Sequence, residues 1–345
     1  MLISKNVLTL FFLFVFSICL SQNISGIVLD SDSDQPLEGT TIYFDNTTYG
    51  TITNSKGEFV LKFHKDIKTP LIISFLGYEK VILKKFSTTD KLKIYLKEST
   101  SVLNEVILAS DDGLSREIKL KEFRKHFLGE STNGVSCDIL NEDDIILRYN
   151  NKSKLLTVNS NAPILIANYN LKYLITAELS HFEVKYNHIS KNKKRLNMQY
   201  VYYMGNNFYR SLEEEPTEIT RNKRKDVYLG STLHFMRALA SEKLKKEKYQ
   251  LYFGDDPVNS RKYISVNPID GTNNVKIILK HKLNIVFDHE KRSSFECLTG
   301  EFYIDKFGNH FPPGKVRFDG DLGQQRMGDA LPLDFMLTNK FVNKN

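Results

Sequence analysis

From Asn23 to about Leu96 the chain is a succession of six short runs of β-favouring residues, and nothing else in it limits the fold so strongly. The runs are residues 24–29, 40–44, 57–63, 71–76, 78–83 and 92–96, rich in Ile, Val, Phe, Tyr and Thr. Residues 30–36, 54–57 and 65–70 separate some of them with turn chemistry: Asn and Gly tolerate positive φ, and Pro fixes its own. Strands this short at this spacing predict a sandwich, with Phe59 and Leu61 inward at period two. Gly57 is expected to close a hairpin, and Gly77 to permit a bend with Tyr78 packed behind it. Asp30, Asp32 and Asp34 alternate as a calcium loop begins, but Gln35 and Thr41 stand where that loop needs Gly and Glu, so a solvated acidic turn is expected.

Ahead of this region lies a short start with Lys5, then an unbroken apolar stretch from Val7 to Leu20. It reads as a secretory signal over residues 1–21, cut after Ser21, and is too short and wrongly flanked for a membrane span. Cys19 offers a lipid-anchor alternative, but Phe16, Ser17 and Ile18 are not what such processing prefers. Removing 21 of the 345 residues leaves 324, enough for two domains, and takes the net charge from +7 to +6. The lysines form no long block or basic helix face that would make contact with anionic envelope polymers specific, and export argues against a nucleic-acid partner despite the basic balance. Cys137 and Cys297 remain in an oxidising compartment, where they can pair or stay as separate buried thiols.

The order Gly26-Ile27-Val28-Leu29-Asp30, Pro36-Leu37-Glu38-Gly39-Thr40-Thr41-Ile42, Gly50-Thr51, Thr53-Asn54-Ser55-Lys56-Gly57-Glu58-Phe59 and Phe75-Leu76-Gly77-Tyr78 resembles the carboxypeptidase regulatory-like domain. The resemblance implies a transthyretin-like, seven-stranded sandwich over residues 22–110. It also implies a domain that accompanies catalytic or transport modules, among them TonB-dependent receptors of Gram-negative outer membranes, and is not itself catalytic.

A short apolar run, 102–108, is read as the last sandwich strand or a bridge, with the boundary near Asp111-Asp112-Gly113. Residues 114–345 are expected to form a β-rich α+β domain with an antiparallel sheet and about two helices. Leu120, Phe123 and Phe127 place the first helix, ended by Gly129. The second is placed over residues 231–245, with Leu233, Met236, Leu239, Ala240 and Leu244 on one face. Residues 171–186 alternate as a strand whose apolar phase slips by one after Leu179, as a β-bulge produces. Residues 196–209, 275–279, 284–287 and 301–304 continue the strand theme. Too few segments alternate for long enough to make a transmembrane barrel. This part also resembles the companion domain, of uncharacterised function, that follows such sandwiches in envelope proteins. The resemblance rests on Phe123 with Phe127-Leu128-Gly129, Cys137 with Ile139-Leu140-Asn141, Tyr228, Gly230-Ser231, His234-Phe235, Arg237-Ala238-Leu239 and Leu331-Pro332-Leu333-Asp334-Phe335.

The chain carries little recognisable chemistry. No histidine is followed at the third position by Glu, and neither the zincin pattern nor the Gly-x-Ser-x-Gly elbow occurs, so no metal or cofactor is expected. Asp288-His289-Glu290 reads as an exposed strand end, and no local signature gives either cysteine a base. The most suggestive group is His234, Arg237, Ser241 and Lys245 at i, i+3, i+7, i+11, with Arg221 and Arg224 just before. They make either an anion or partner-docking site or simply a polar helix face turned to water. The expected function is a non-enzymatic envelope module, periplasmic or outer-membrane associated, that binds a protein or glycan. The rivals are a hydrolase of unrecognised type built on His234 and Arg237, and an accessory to a TonB-dependent receptor.

Overall fold

The structure, a computed structural model, describes residues 21–99, 113–190 and 196–336. Most of the expected signal, the run 102–108 and Asp111-Asp112 lie outside the described residues.

Seven strands build the amino-terminal unit: β1 (Ser21–Asp30), β2 (Thr41–Phe44), β3 (Gly50–Ile52), β4 (Glu58–His64), β5 (Leu71–Ser74), β6 (Val81–Leu83) and β7 (Leu92–Leu96). They pair as two sheets, β4-β1-β7 and β3-β2-β5-β6, which is the expected sandwich. Alternation along β4 buries Phe59, Leu61 and Phe63 against Ile24, Val28, Ile42, Phe44 and Ile73. Gly57 does not close a hairpin. Its turn carries the chain from β3 in one sheet to β4 in the other, at φ +71°, and a Cβ there would stand 2.5 Å from the Val28 carbonyl oxygen. Gly77 does sit in the bend between β5 and β6, at φ +85°, and the Tyr78 hydroxyl bonds the Asp30 carboxylate at 2.9 Å. Asp30 also accepts from the backbone N–H groups of Asp32 and Ser33 and from the Ser33 hydroxyl, chiefly through Ser33 holding its carboxyl down at about 2; the acidic turn is structural.

The rest of the described chain has two cores rather than one. In the first, helix α1 (Arg116–Phe127), capped by the Ser115 hydroxyl and followed by Gly129 at φ +95°, lies over a six-stranded sheet. That sheet is β8 (Cys137–Ile139), β9 (Ile145–Asn150), β10 (Leu155–Ser160), β11 (Ile164–Asn168), β12 (Tyr173–Ile189) and β13 (Leu196–Ser211). Phe123 and Phe127 stack with centroids 5.0 Å apart, and Phe182 of β12 meets Phe123 edge-on at 4.9 Å. The expected bulge is present. Pairing between β12 and β13 slips between Leu179 and His181, so burial passes from Tyr173, Ile175 and Ala177 to Phe182, Val184 and Tyr186.

In the second core two antiparallel sheets enclose a helix. One is built from β14 (Tyr249–Phe253), β15 (Asp256–Val258), β18 (Leu283–Phe287), β19 (Lys291–Cys297) and β22 (Val316–Asp319); the other from β16 (Ile264–Pro268), β17 (Val275–Leu279), β20 (Glu301–Ile304) and β21 (His310–Phe311). Six α-helices occur among the described residues, against about two expected: after α1 come α2 (Thr132–Val135), α3 (Glu218–Tyr228), α4 (Thr232–Ala240), α5 (Ser260–Tyr263) and α6 (Gly320–Gln324). Three of these have five residues or fewer, and α3 buries Thr220, Arg224 and Tyr228 instead of an aliphatic stripe, so hydrophobic periodicity passes over them. Helix α4 stops at Ala240, well short of Lys245, because Glu242 takes φ +53°.

Candidate functional site

Each charged residue singled out by sequence falls in a definite place, and of the two readings of the stripe the water-facing one fails for the buried His234 and half-buried Arg237, whereas Ser241 and Lys245 are exposed. His234, on α4, is 3% exposed, its ring packed among Tyr228, Tyr249 and Phe287. The Gly230 N–H donates to its Nδ1 at 3.1 Å, which leaves the proton on Nε2 to face the Glu247 carboxylate at 3.2 Å. Burial pushes the imidazole below its usual range, and Glu247 opposes this without reversing it. Arg237, one turn on, donates Nε to the Phe307 carbonyl at 2.9 Å, Nη1 to Phe335 at 2.8 Å and Nη2 to Leu333 at 2.7 Å. All three guanidinium nitrogens are spent on backbone. Lys245 lies past the end of α4, so the four-residue stripe does not share one helix.

Arg221 and Arg224 are on α3, which starts where the Thr217 hydroxyl accepts from Thr220 N–H. Both border a cleft of about 1050 Å³ where four pieces of chain converge. The β2–β3 turn brings Thr48 and Gly50 from the sandwich; β12 and β13 bring Tyr173, Phe208 and Arg210; α3 brings Arg221, Arg224 and Lys225; and the strap 332–335 brings Pro332, Asp334 and Phe335. Arg224 is 6% exposed and lies 3.9 Å from the Tyr173 ring centroid. It donates Nε to the Leu171 carbonyl at 2.9 Å and Nη2 to the Lys172 carbonyl at 3.1 Å and Ser211 Oγ at 3.4 Å. Burial lowers the affinity of Arg224 for its proton and pushes the Tyr173 phenol up to about 12. Asp334 accepts from the Thr48 N–H at 2.8 Å and from the Thr48 hydroxyl, and burial raises its carboxyl above the ordinary range.

The disulfide left open between Cys137 and Cys297 is not formed. Cys137 is buried in β8, where its thiol donates to the Asn133 carbonyl, and Cys297 ends β19 in the other core. Desolvation pushes the Cys137 thiol up to about 12, far from a nucleophile's range. Asp288 and His289 occupy an exposed turn at positive φ, as a polar strand end should. Among the described residues no three His, Cys, Asp or Glu side chains are grouped to hold a metal, and no helix is long and apolar enough to cross a membrane.

Sequence reasoning missed Arg210, Glu247 and the role of the strap. Leu333 N–H donates to the Asn46 carbonyl at 2.7 Å, and Phe335 packs against Tyr228 at 5.6 Å. The segment 331–335 had stood out only by resemblance; its one local signal is a charge between apolar residues after proline.

The amino-terminal unit is a two-sheet, seven-stranded sandwich, and comparison with known proteins agrees. Residues 24–108 match the model of the CarboxypepD_reg-like domain, so the chain carries that domain at its amino-terminal end, as the resemblance implied. Over 86 residues it is 31% identical to the TonB-dependent receptor SusC of Bacteroides thetaiotaomicron, a match spanning 25% of this chain and 8% of that receptor. Among solved structures, a type II cohesin–X-dockerin complex from Acetivibrio cellulolyticus aligns at 18% identity over 22% of this chain and 58% of that one, with a TM-score of 0.19. A 9R-lipoxygenase from Cyanothece aligns at 8% identity over 64% and 48% of the two chains, with a TM-score of 0.17. Likenesses this slight carry no argument.

Proposed function

We propose that this chain is a non-catalytic module of the Gram-negative cell envelope, exported to the periplasm or the outer membrane, that holds a protein or glycan partner in the cleft between sandwich, hairpin and α3. The observation that carries the reading is the cleft itself: it is built jointly by the sandwich and the carboxyl-terminal part, and its polar side chains border an open space. The CarboxypepD_reg-like domain and the stretch of similarity to SusC support an accessory role beside a receptor of that kind. The hydrolase reading is weaker, because His234 is sealed among aromatic rings, Arg237 donates from all three guanidinium nitrogens to backbone carbonyls, and neither lines the cleft.

The test is site-specific. A photo-reactive residue in place of Asn222, which lines the cleft, and another in place of the exposed Lys262 are introduced into the full chain and irradiated in intact envelopes. A discrete adduct from position 222 and none from position 262 is the expected outcome. Equal adducts at both positions, or substrate turnover abolished by His234→Gln, would overturn the reading.

A further inference from the structure

Arg224 is a buried cation with no carboxylate in direct contact. Among the described residues none lies within ion-pair distance of it, Glu213 acting only from farther off, and its hydrogen-bond partners are two backbone carbonyls and one hydroxyl, all served by Nε and Nη2. Its Nη1 has no hydrogen-bond partner there, yet it is not sealed: among the described residues the Thr69 hydroxyl is the single side-chain polar atom both shut off from solvent and unpartnered. Nη1 therefore stays open, in a residue that is 6% exposed and borders the cleft. A desolvated guanidinium is costly unless a negative group completes it. Here the plane is fixed by Tyr173 beneath and the carbonyls along one edge, so the remaining donors point as a set geometry rather than as a floppy charge.

The surroundings say what kind of anion fits. Arg221 stands one helical turn before Arg224, Lys225 follows it, and Arg210 comes from β13, so basic groups outnumber the acidic Glu214, Glu218 and Asp334. Those acids matter nonetheless. Glu214 and Glu218 are exposed acceptors, which repel a densely acidic chain but receive hydroxyl groups. At about 1050 Å³ the cleft exceeds what one small ligand fills, and Tyr173, Phe208 and Phe335 add ring faces. We infer that the cleft takes an acidic oligosaccharide, its carboxylate on Arg224 and Arg221 and its hydroxyl groups on the facing acids. The inference rests on the cleft being the binding site.

Titration calorimetry of the mature full chain at low salt with a xylotriose bearing a single glucuronate tests it, with its methyl ester as the neutral arm and inorganic phosphate as competitor. Saturable binding is expected, weakened about tenfold or more by methylation and by Arg224→Gln, as loss of a charge-assisted bond implies. Arg221→Gln, on the exposed side of α3, should lose several-fold and keeps the test open if Arg224→Gln fails to fold. Competition by phosphate with a retained methylation effect supports an oxyanion subsite. Equal binding of acid and ester overturns the subsite. Absence of any saccharide binding, while position 222 still cross-links to a protein, overturns the sugar ligand and leaves the cleft standing. Binding unaffected by a bulky Asn222→Trp places the ligand elsewhere and removes the reading of the cleft as well.

Discussion

Arg237 shows what a single residue does in this molecule. Its three nitrogens gather carbonyls of Phe307, Leu333 and Phe335, two segments far away in the chain, and its guanidinium faces the Tyr228 ring at 5.4 Å. Replacing it by Gln leaves at least two of these half-buried carbonyls unserved, and each charge-assisted bond is worth about 1.5–3 kcal/mol. Arg237→Gln is expected to lower stability by about 3 kcal/mol, read from the urea midpoint at unchanged slope. Arg237→Lys should not restore it, because one ammonium cannot reach three carbonyls set in a fork. An unchanged midpoint would show the bonds to be dispensable. The spacing of His234 and Arg237 is visible in sequence, but their burial is not. Amphipathic reasoning sends polar groups to water, and the partners that reverse this lie 13 residues away for His234 and 70 to 98 away for Arg237. A pairing at that separation leaves no local trace.

At the scale of elements, the β12–β13 hairpin joins the sheet core to the sandwich. Its bulge was legible because both halves of the phase slip are written along one strand, with Leu179 ending one alternation and Phe182 opening the next. Across from it Gly205 pairs with Leu179, and a Cβ on Gly205 would lie 2.5 Å from the Glu178 carbonyl oxygen. Backbone cannot rotate away as a side chain does. Gly205→Ala is therefore expected to cost about 1–3 kcal/mol by thermal or urea unfolding. An unchanged midpoint would mean that the strand relaxes freely. Helix α3 was not legible from periodicity, since its buried face is Thr220, Arg224 and Tyr228. Its start was still signalled, by Pro216 ahead of the capping Thr217 and by Glu218 in the first turn. A reading led by caps rather than by apolar spacing would have found the wall that carries Arg221 and Arg224.

The whole molecule depends on surfaces that neither part could complete alone. Phe307, from the turn after β20, is 5% exposed in the sandwich core, and Leu333 packs beside it. On the outer face of the same sheet Tyr43 and Ile72 are fully buried against Phe208 of β13, with the Tyr43 ring 5.2 Å from that of Phe208 and its hydroxyl on Glu178 at 2.8 Å. That explains why β2 is buried on both faces although it belongs to a two-layer sandwich. The seven strands were readable from turn chemistry, whereas the borrowed Phe307 was not, because one phenylalanine among 23 looks like any other. A sandwich of this size is marginal by itself, and excising it exposes Tyr43 and Ile72 and empties the Phe307 position. Residues 22–110 expressed alone are therefore expected to unfold well below the full chain, and Phe307→Ala in the full chain to cost about 3–5 kcal/mol. The full chain should melt with the sandwich in the main transition, as followed by near-ultraviolet circular dichroism and calorimetry together. An isolated sandwich as stable as the intact protein, or a separate low transition that Phe307→Ala leaves in place, would show that the two parts merely touch. Cooperative melting instead means that the cleft between them is a fixed surface, set by the same contacts that hold the fold.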